Sequence, residues 1–118
     1  MSEHNIQVQV CHYLDFLQNR FHFRYFAIPN GGARNAITGK MLKDEGVKKG
    51  VPDLFIPFYS LGFYGLFIEM KTAKGKLSKE QNEWLDYLKT QNFRSVVCYS
   101  FEDARKEIDY YFGVENPF

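Results

Sequence analysis

Val51-Pro52-Asp53-Leu54-Phe55-Ile56-Pro57 and, beyond Phe58 to Gly65, Leu66-Phe67-Ile68-Glu69-Met70-Lys71 decide how this chain is read. The run from Leu54 to Ile68 carries no charge, yet it is too short to span a bilayer and is broken by Pro57, Ser60, Gly62 and Gly65. Two buried strands, Val51 to Pro57 and Leu66 to Lys71, joined by a turn over Phe58 to Gly65, account for it most simply. Strand positions two apart share a face, so Glu69 and Lys71 project together while Ile68 and Met70 face the other way. Antiparallel pairing then brings Asp53 alongside both, so that two carboxylates and an ammonium gather at one end of a strongly apolar hairpin.

Upstream, Ser2 followed by Glu3 reads as a helix N-cap with a favourably placed acid, and Ile6, Val10, Tyr13, Leu14 and Leu17 recur at helical spacing as far as about Asn19. Phe21 to Ile28 is aromatic and strand-prone, and Pro29-Asn30-Gly31-Gly32 ends it in a loop. Ala33 to Glu45 is expected to be a helix stopped by Gly46. Downstream, Ser78-Lys79-Glu80-Gln81 fits a capping box that opens a helix running to Gln91, with Trp84, Leu85 and Leu88 as its apolar stripe. Arg94 to Tyr99 is a short buried strand, and Ser100 caps a last helix from Phe101 to about Phe112. The order αβ(α)ββαβα describes an α/β fold, a mixed sheet flanked by helices.

At 118 residues and 13.9 kDa the chain is expected to form one domain, residues 1–118, since domains average roughly 100 to 200 residues. The two cysteines, Cys11 and Cys98, are isolated, so no disulfide framework or zinc knuckle is encoded and a reducing, cytoplasmic setting fits. Met1-Ser2-Glu3-His4 has no basic region leading into an apolar one, so neither a signal peptide nor a membrane anchor is expected. The net charge of +1 conceals a segregation: Arg34 to Lys79 holds 9 Lys+Arg against 4 Asp+Glu, and from Glu80 onward the counts are 4 against 8. A basic middle suits a polyanion such as a phosphate backbone, although a solvated face has the same composition.

Two adjacent carboxylates suit a hard divalent cation such as Mg2+ or Mn2+, with waters completing its shell. A neighbouring lysine then serves an attacking water or offsets charge in a phosphoryl transition state. The chain has no GxGxxG or Walker-type phosphate loop, and His4, His12 and His22 do not cluster. Phosphodiester hydrolysis is the chemistry these groups support, and no small-molecule cofactor is called for. A lysine beside two acids also describes a salt-bridged sheet edge, and that alternative stands at this level.

Pro52-Asp53 with Glu69-Met70-Lys71 resembles the signature of the PD-(D/E)XK nucleases. More narrowly, Gly46-Val47-Lys48-Lys49-Gly50-Val51-Pro52-Asp53-Leu54, preceded by Ile28-Pro29-Asn30-Gly31-Gly32 and Arg34, resembles the stand-alone phage and bacterial type of VRR-NUC domain. The likeness runs from Glu3 to about Tyr99. It implies a restriction-endonuclease-like core in which Asp53, Glu69 and the Met70 main-chain carbonyl bind Mg2+ or Mn2+ and Lys71 serves the attacking water. It further implies a metal-site role for Glu3, support from Gln7 on the same helix face, and a catalytic role for Gln81, which competes with the capping-box role of that side chain.

Lys43, Lys48, Lys49, Lys74 and Lys76, with Arg34, Asn30 and Gly31, are the candidates for holding phosphates. The expected activity is metal-dependent cleavage of DNA, preferably branched as in a Holliday junction, by a homodimer that cuts two strands symmetrically. The aromatic C-terminal helix and the uncharged hairpin are the expected dimer surfaces. A flap or non-specific duplex nuclease, and a non-catalytic nucleic-acid-binding module, are the competing readings.

Overall fold

The computed structural model describes residues 2–29 and 36–115. Eight elements follow in the order α1 (Glu3–Leu17), β1 (Phe26–Ala27), α2 (Ala36–Asp44), β2 (Leu54–Ile56), β3 (Leu66–Met70), α3 (Lys79–Thr90), β4 (Arg94–Cys98) and α4 (Phe101–Phe112). The four strands lie in the order β1-β2-β3-β4. The first two pairings are antiparallel and β3 with β4 is parallel, so the sheet is mixed and α3 supplies the crossover that parallel pairing requires.

Strand parity divides the sheet into two faces. Leu54, Ile56, Leu66, Ile68, Met70 and Cys98 pack with Ile6, Val10, Leu14 and Leu17 of α1 and with Ala104, Ile108, Tyr111 and Phe112 of α4 in one buried cluster. Helix α3 covers part of the opposite face, where the Ser95 hydroxyl donates to the Leu85 carbonyl at 2.9 Å. Much of the rest of that face is aromatic. Phe55 stacks on Phe67 with ring centres 4.2 Å apart, and Phe26 and Phe93 meet this pair edge-on. Phe58 and Phe63 are half-buried and pack against the cluster, whereas Phe55 and Phe67 are half-buried on the opposite face because the aliphatic residues of the alternate parity fill the core.

The capping signals act as expected. Ser2, Ser78 and Ser100 each accept the main-chain N–H three residues on, and both hydrogen bonds of the Ser78/Gln81 box are present. Gly46 follows α2 with φ of +100°, the left-handed conformation a glycine adopts cheaply at a helix end. Part of the expected second helix, residues 33–35, lies outside the described residues.

The strand expected over Phe21 to Ile28 contracts to Phe26–Ala27. Phe21 and Phe23 turn instead onto Phe112, with ring centres 5.3 and 4.6 Å away, and the Phe23 carbonyl accepts from the Gln18 side chain. Aromatic burial against α4 here outcompetes ladder pairing. The turn of the hairpin is tighter than expected too: Ser60 and Phe63 exchange two main-chain hydrogen bonds around Leu61 and Gly62, both with positive φ.

Gly50 is a structural hinge point between the basic loop and α3. Its φ is +91°, and a Cβ there would stand 2.6 Å from the Glu80 main-chain carbon. Gly50→Ala is therefore expected to cost about 3 kcal/mol, combining backbone strain with a collision against backbone that cannot swing away. Urea denaturation of the two proteins checks this, and a difference below about 1 kcal/mol would contradict it.

Candidate active site

The pairing of Leu54 with Ile68 places Asp53 across from Glu69, one residue before β2 begins. Asp53 is tied to both neighbouring strands. Its main-chain carbonyl accepts from the Ile28 N–H at 2.8 Å, and its Oδ2 accepts from the Met70 N–H at 2.7 Å. On the other side of β3, the Lys71 N–H donates to the Cys98 carbonyl at 2.9 Å, so the backbone of Glu69-Met70-Lys71 is held from both flanks. The Met70 side chain is buried in the core, so a part in the site falls to its main chain.

Glu69 is 1 % exposed, and its Oε1 has no hydrogen-bond partner among the described residues. Burial raises its carboxyl to about 9, helped by the hydrogen bond it shares with Asp53 and by the Asp53 charge, against the opposing pull of the Lys71 ammonium. A buried carboxyl oxygen without a donor costs free energy that folded proteins ordinarily avoid. The donor set, two carboxylates beside a main-chain carbonyl, is the hard-oxygen chemistry that Mg2+ or Mn2+ takes. The residues thus fit the group.

Among the described residues no three His, Cys, Asp or Glu side chains converge as a metal cluster. Glu3, expected at the metal, therefore does not complete such a cluster: it sits exposed in the first turn of α1, and its charge reaches Glu69 as the weakest of the influences on that carboxyl. Gln7 is half-buried and lines a groove along α1 with His4, Val8, Cys11, His12 and Asp15. Gln81 fulfils its capping role: its Oε1 accepts from the Ser78 N–H at 2.8 Å, which commits the carboxamide oxygen to the start of α3.

Lys71 is the first residue beyond β3, and its stem lies over Gly75, whose added Cβ would meet the Lys71 Cδ at 3.2 Å. The turn that achieves this is closed by the Gly75 N–H donating to the Thr72 carbonyl. Lys43, Lys48 and Lys49 are exposed on the segment leading toward Asp53, and Lys74 and Lys76 are exposed on the one leaving Lys71. Asn30, Gly31 and Arg34 lie outside the described residues. Sequence reasoning missed the depth of Glu69, although its place between Ile68 and Met70 in an apolar strand was a usable signal.

The family model for the VRR-NUC domain matches residues 3–102. The chain belongs to the VRR-NUC domain family. That family is a nuclease family, and the paired carboxylates and lysine of this VRR-NUC domain all fall within the matched region. A solved structure described as a VRR-NUC domain protein superposes with a TM-score of 0.78 at 22% identity, covering 98% of this chain and 92% of the other. A second, described as a VRR-NUC domain, gives a TM-score of 0.62 at 17% identity over 92% of this chain and 96% of the other. At these identities the likeness shows a shared fold. A search of curated protein sequences gives no match. No helix among the described residues of the VRR-NUC domain is long and apolar enough to cross a membrane.

Proposed function

We propose that this VRR-NUC domain is a divalent-metal-dependent DNA endonuclease that hydrolyses phosphodiester bonds, selects branched DNA and works as a homodimer. The observation that carries the reading is a fully buried Glu69 beside Asp53 and within electrostatic reach of Lys71, its Oε1 without a hydrogen-bond partner among the described residues. A structural salt bridge would pair that oxygen, whereas a cation site leaves it for the ion.

Asp53, Glu69 and the Met70 carbonyl would hold Mg2+ or Mn2+. When bound, such an ion stabilises negative charge on a phosphoryl oxygen and lowers the pKa of a coordinated water. Cation binding would require the Glu69 carboxyl, raised by its burial, to lose its proton to solvent. Lys71, braced over Gly75, presents an ammonium that orients the attacking water and offsets charge on the phosphorane. The lysines on the two adjoining segments hold the flanking phosphates and fix the strand across the carboxylates.

Two symmetric cuts require two such sites, which favours a two-fold dimer. The C-terminal helix, expected as one dimer surface, turns Tyr111 and Phe112 into its own core and keeps only Tyr110 as an exposed large apolar residue. The hairpin loop is the better surface, because Tyr59, Leu61 and Tyr64 are all exposed there.

Cleavage of end-labelled four-way junction, flap and linear duplex in Mg2+ or Mn2+ tests the substrate, with light scattering at micromolar protein testing the assembly. Paired nicks confined to the junction, with a dimeric mass, are expected. Equal cleavage of all three substrates would remove the branched-DNA preference, and a monomeric mass would remove the dimer.

A further inference from the structure

Helix α3 buries Leu85 and Leu88 against the sheet and leaves Glu80, Glu83, Trp84 and Tyr87 in line along another face. With Lys49 these four residues line a groove of about 310 Å³. Trp84, the chain's single tryptophan, is half-buried, Tyr87 is 54 % exposed, and the two rings meet at 89° with centres 5.9 Å apart. The groove is a fixed feature of the fold, because the buried Gly50 packs directly on the Glu80 and Gln81 backbone and holds Lys49 at its rim.

Its chemistry is divided. Glu80 is held below the usual carboxylate range, first by its own backbone amide and then by the Lys49 ammonium. Two carboxylates repel a phosphate but accept hydrogen bonds from exocyclic amines, and a tryptophan with a tyrosine at right angles offers one flat face and one edge. Lys49 supplies one phosphate contact at the mouth. A flat, amine-bearing ring with a phosphate attached meets all three requirements.

We propose that the Trp84–Tyr87 groove takes up one unpaired nucleobase of the DNA substrate, with Lys49 on its phosphate; this rests on the nuclease reading above and names what the site's substrate must offer. Four Cα-to-Cα steps lead from Lys49 to Asp53, which limits their Cα separation to ~14 Å. At ~3.4 Å per nucleotide along a stacked strand, the captured base lies within about four nucleotides of the scissile phosphate. A base stacked inside a duplex has no free face for Trp84, so the groove converts strand opening near the cut into affinity. Stacking itself tolerates any base, and the Glu80 and Glu83 carboxylates add a preference for the three that carry an exocyclic amine over thymine.

The test is a two-by-two comparison of equilibrium binding in EDTA. Flap DNA with a normal nucleotide, or an abasic one, at each unpaired position within four of the branch is bound to wild type and to Trp84→Ala. Wild type is expected to lose about 5- to 150-fold on removal of the base at one position, the range that loss of one stacked base covers. Trp84→Ala should bind the normal flap that much more weakly and be indifferent to base removal, while Trp84→Phe restores most of the difference. Equal sensitivity of wild type and Trp84→Ala to the abasic site at every position would overturn the groove assignment. So would Trp84→Ala converting a dimer to a monomer, because the groove would then seat a second copy of the chain. Binding without metal keeps the two readings separable: a protein that shows the coupling but cleaves nothing in Mn2+ fails as a nuclease and keeps the groove.

Discussion

Lys71→Ala is expected to leave the folded structure intact, to bind DNA within a few-fold of wild type, and to cut it about 10²- to 10⁴-fold more slowly. The lysine stem lies at the surface over Gly75 and takes no part in the buried cluster, so its removal opens no core cavity. Other lysines on the same segment, Lys74 and Lys76, continue to hold phosphates. What disappears is the ammonium beside the two carboxylates, and the range is the usual contribution of one positioned acid–base group. Lys71→Arg keeps a charge but spreads it over a larger planar group, so it should recover binding more than rate. Single-turnover cleavage with a binding isotherm for each variant checks this. Equal losses in affinity and rate would make Lys71 a phosphate anchor only.

Glu69→Gln is expected to reverse the order of stabilities with and without divalent metal. In the metal-free protein the Glu69 carboxyl is raised to about 9, above its unfolded value of 4.5, so between these limits the folded state holds more protons than the unfolded one. The Glu69 contribution to stability is therefore fully present below about pH 4.5 and is lost as the pH rises through about 9. The amide has no proton to lose, so the metal-free variant should lack this decline and be more stable than wild type at pH 8 by a few kcal/mol. Several degrees of Tm are at stake in a domain of this size. Mg2+ or Mn2+ should raise the wild-type Tm and leave the variant unchanged, because only the carboxylate gains from a cation. Thermal melts at pH 5 and pH 8, with metal or EDTA, measure all of this. A variant that gains no stability over wild type between pH 5 and pH 8 in EDTA would contradict it.

Much of this architecture is written locally. Three serine caps, Gly46 after α2, and the alternation around Ile68 and Met70 each act over a turn or two of chain, where residue type nearly determines conformation. The meeting of Asp53 with Glu69 could be read ahead as well, because an antiparallel hairpin leaves its register little freedom once one face is apolar. What local patterns do not carry is competition between distant partners. Phe21 and Phe23 have strand character, but Phe112 lies far along the chain and draws them out of the ladder. Tyr111 and Phe112 read as an exposed aromatic stripe until α1 and the hairpin close over them, with the Tyr111 hydroxyl donating to the Phe58 carbonyl. Gly50 gives no sequence sign of its contact with α3, which is what sets Lys49 beside Trp84.

The most direct test of the account is metal-dependent strand scission by the Asp53/Glu69 pair. End-labelled branched DNA is incubated with wild type or Asp53→Asn under single-turnover conditions, across a titration of Mn2+ and in EDTA. Asp53→Asn preserves the shape at the start of β2 but removes a charge the cation requires. The account predicts saturable cleavage by wild type, none in EDTA, and at least about a 10³-fold loss in the variant at every metal concentration. Equal cleavage by the two proteins, or cleavage by wild type that persists in EDTA, would contradict it.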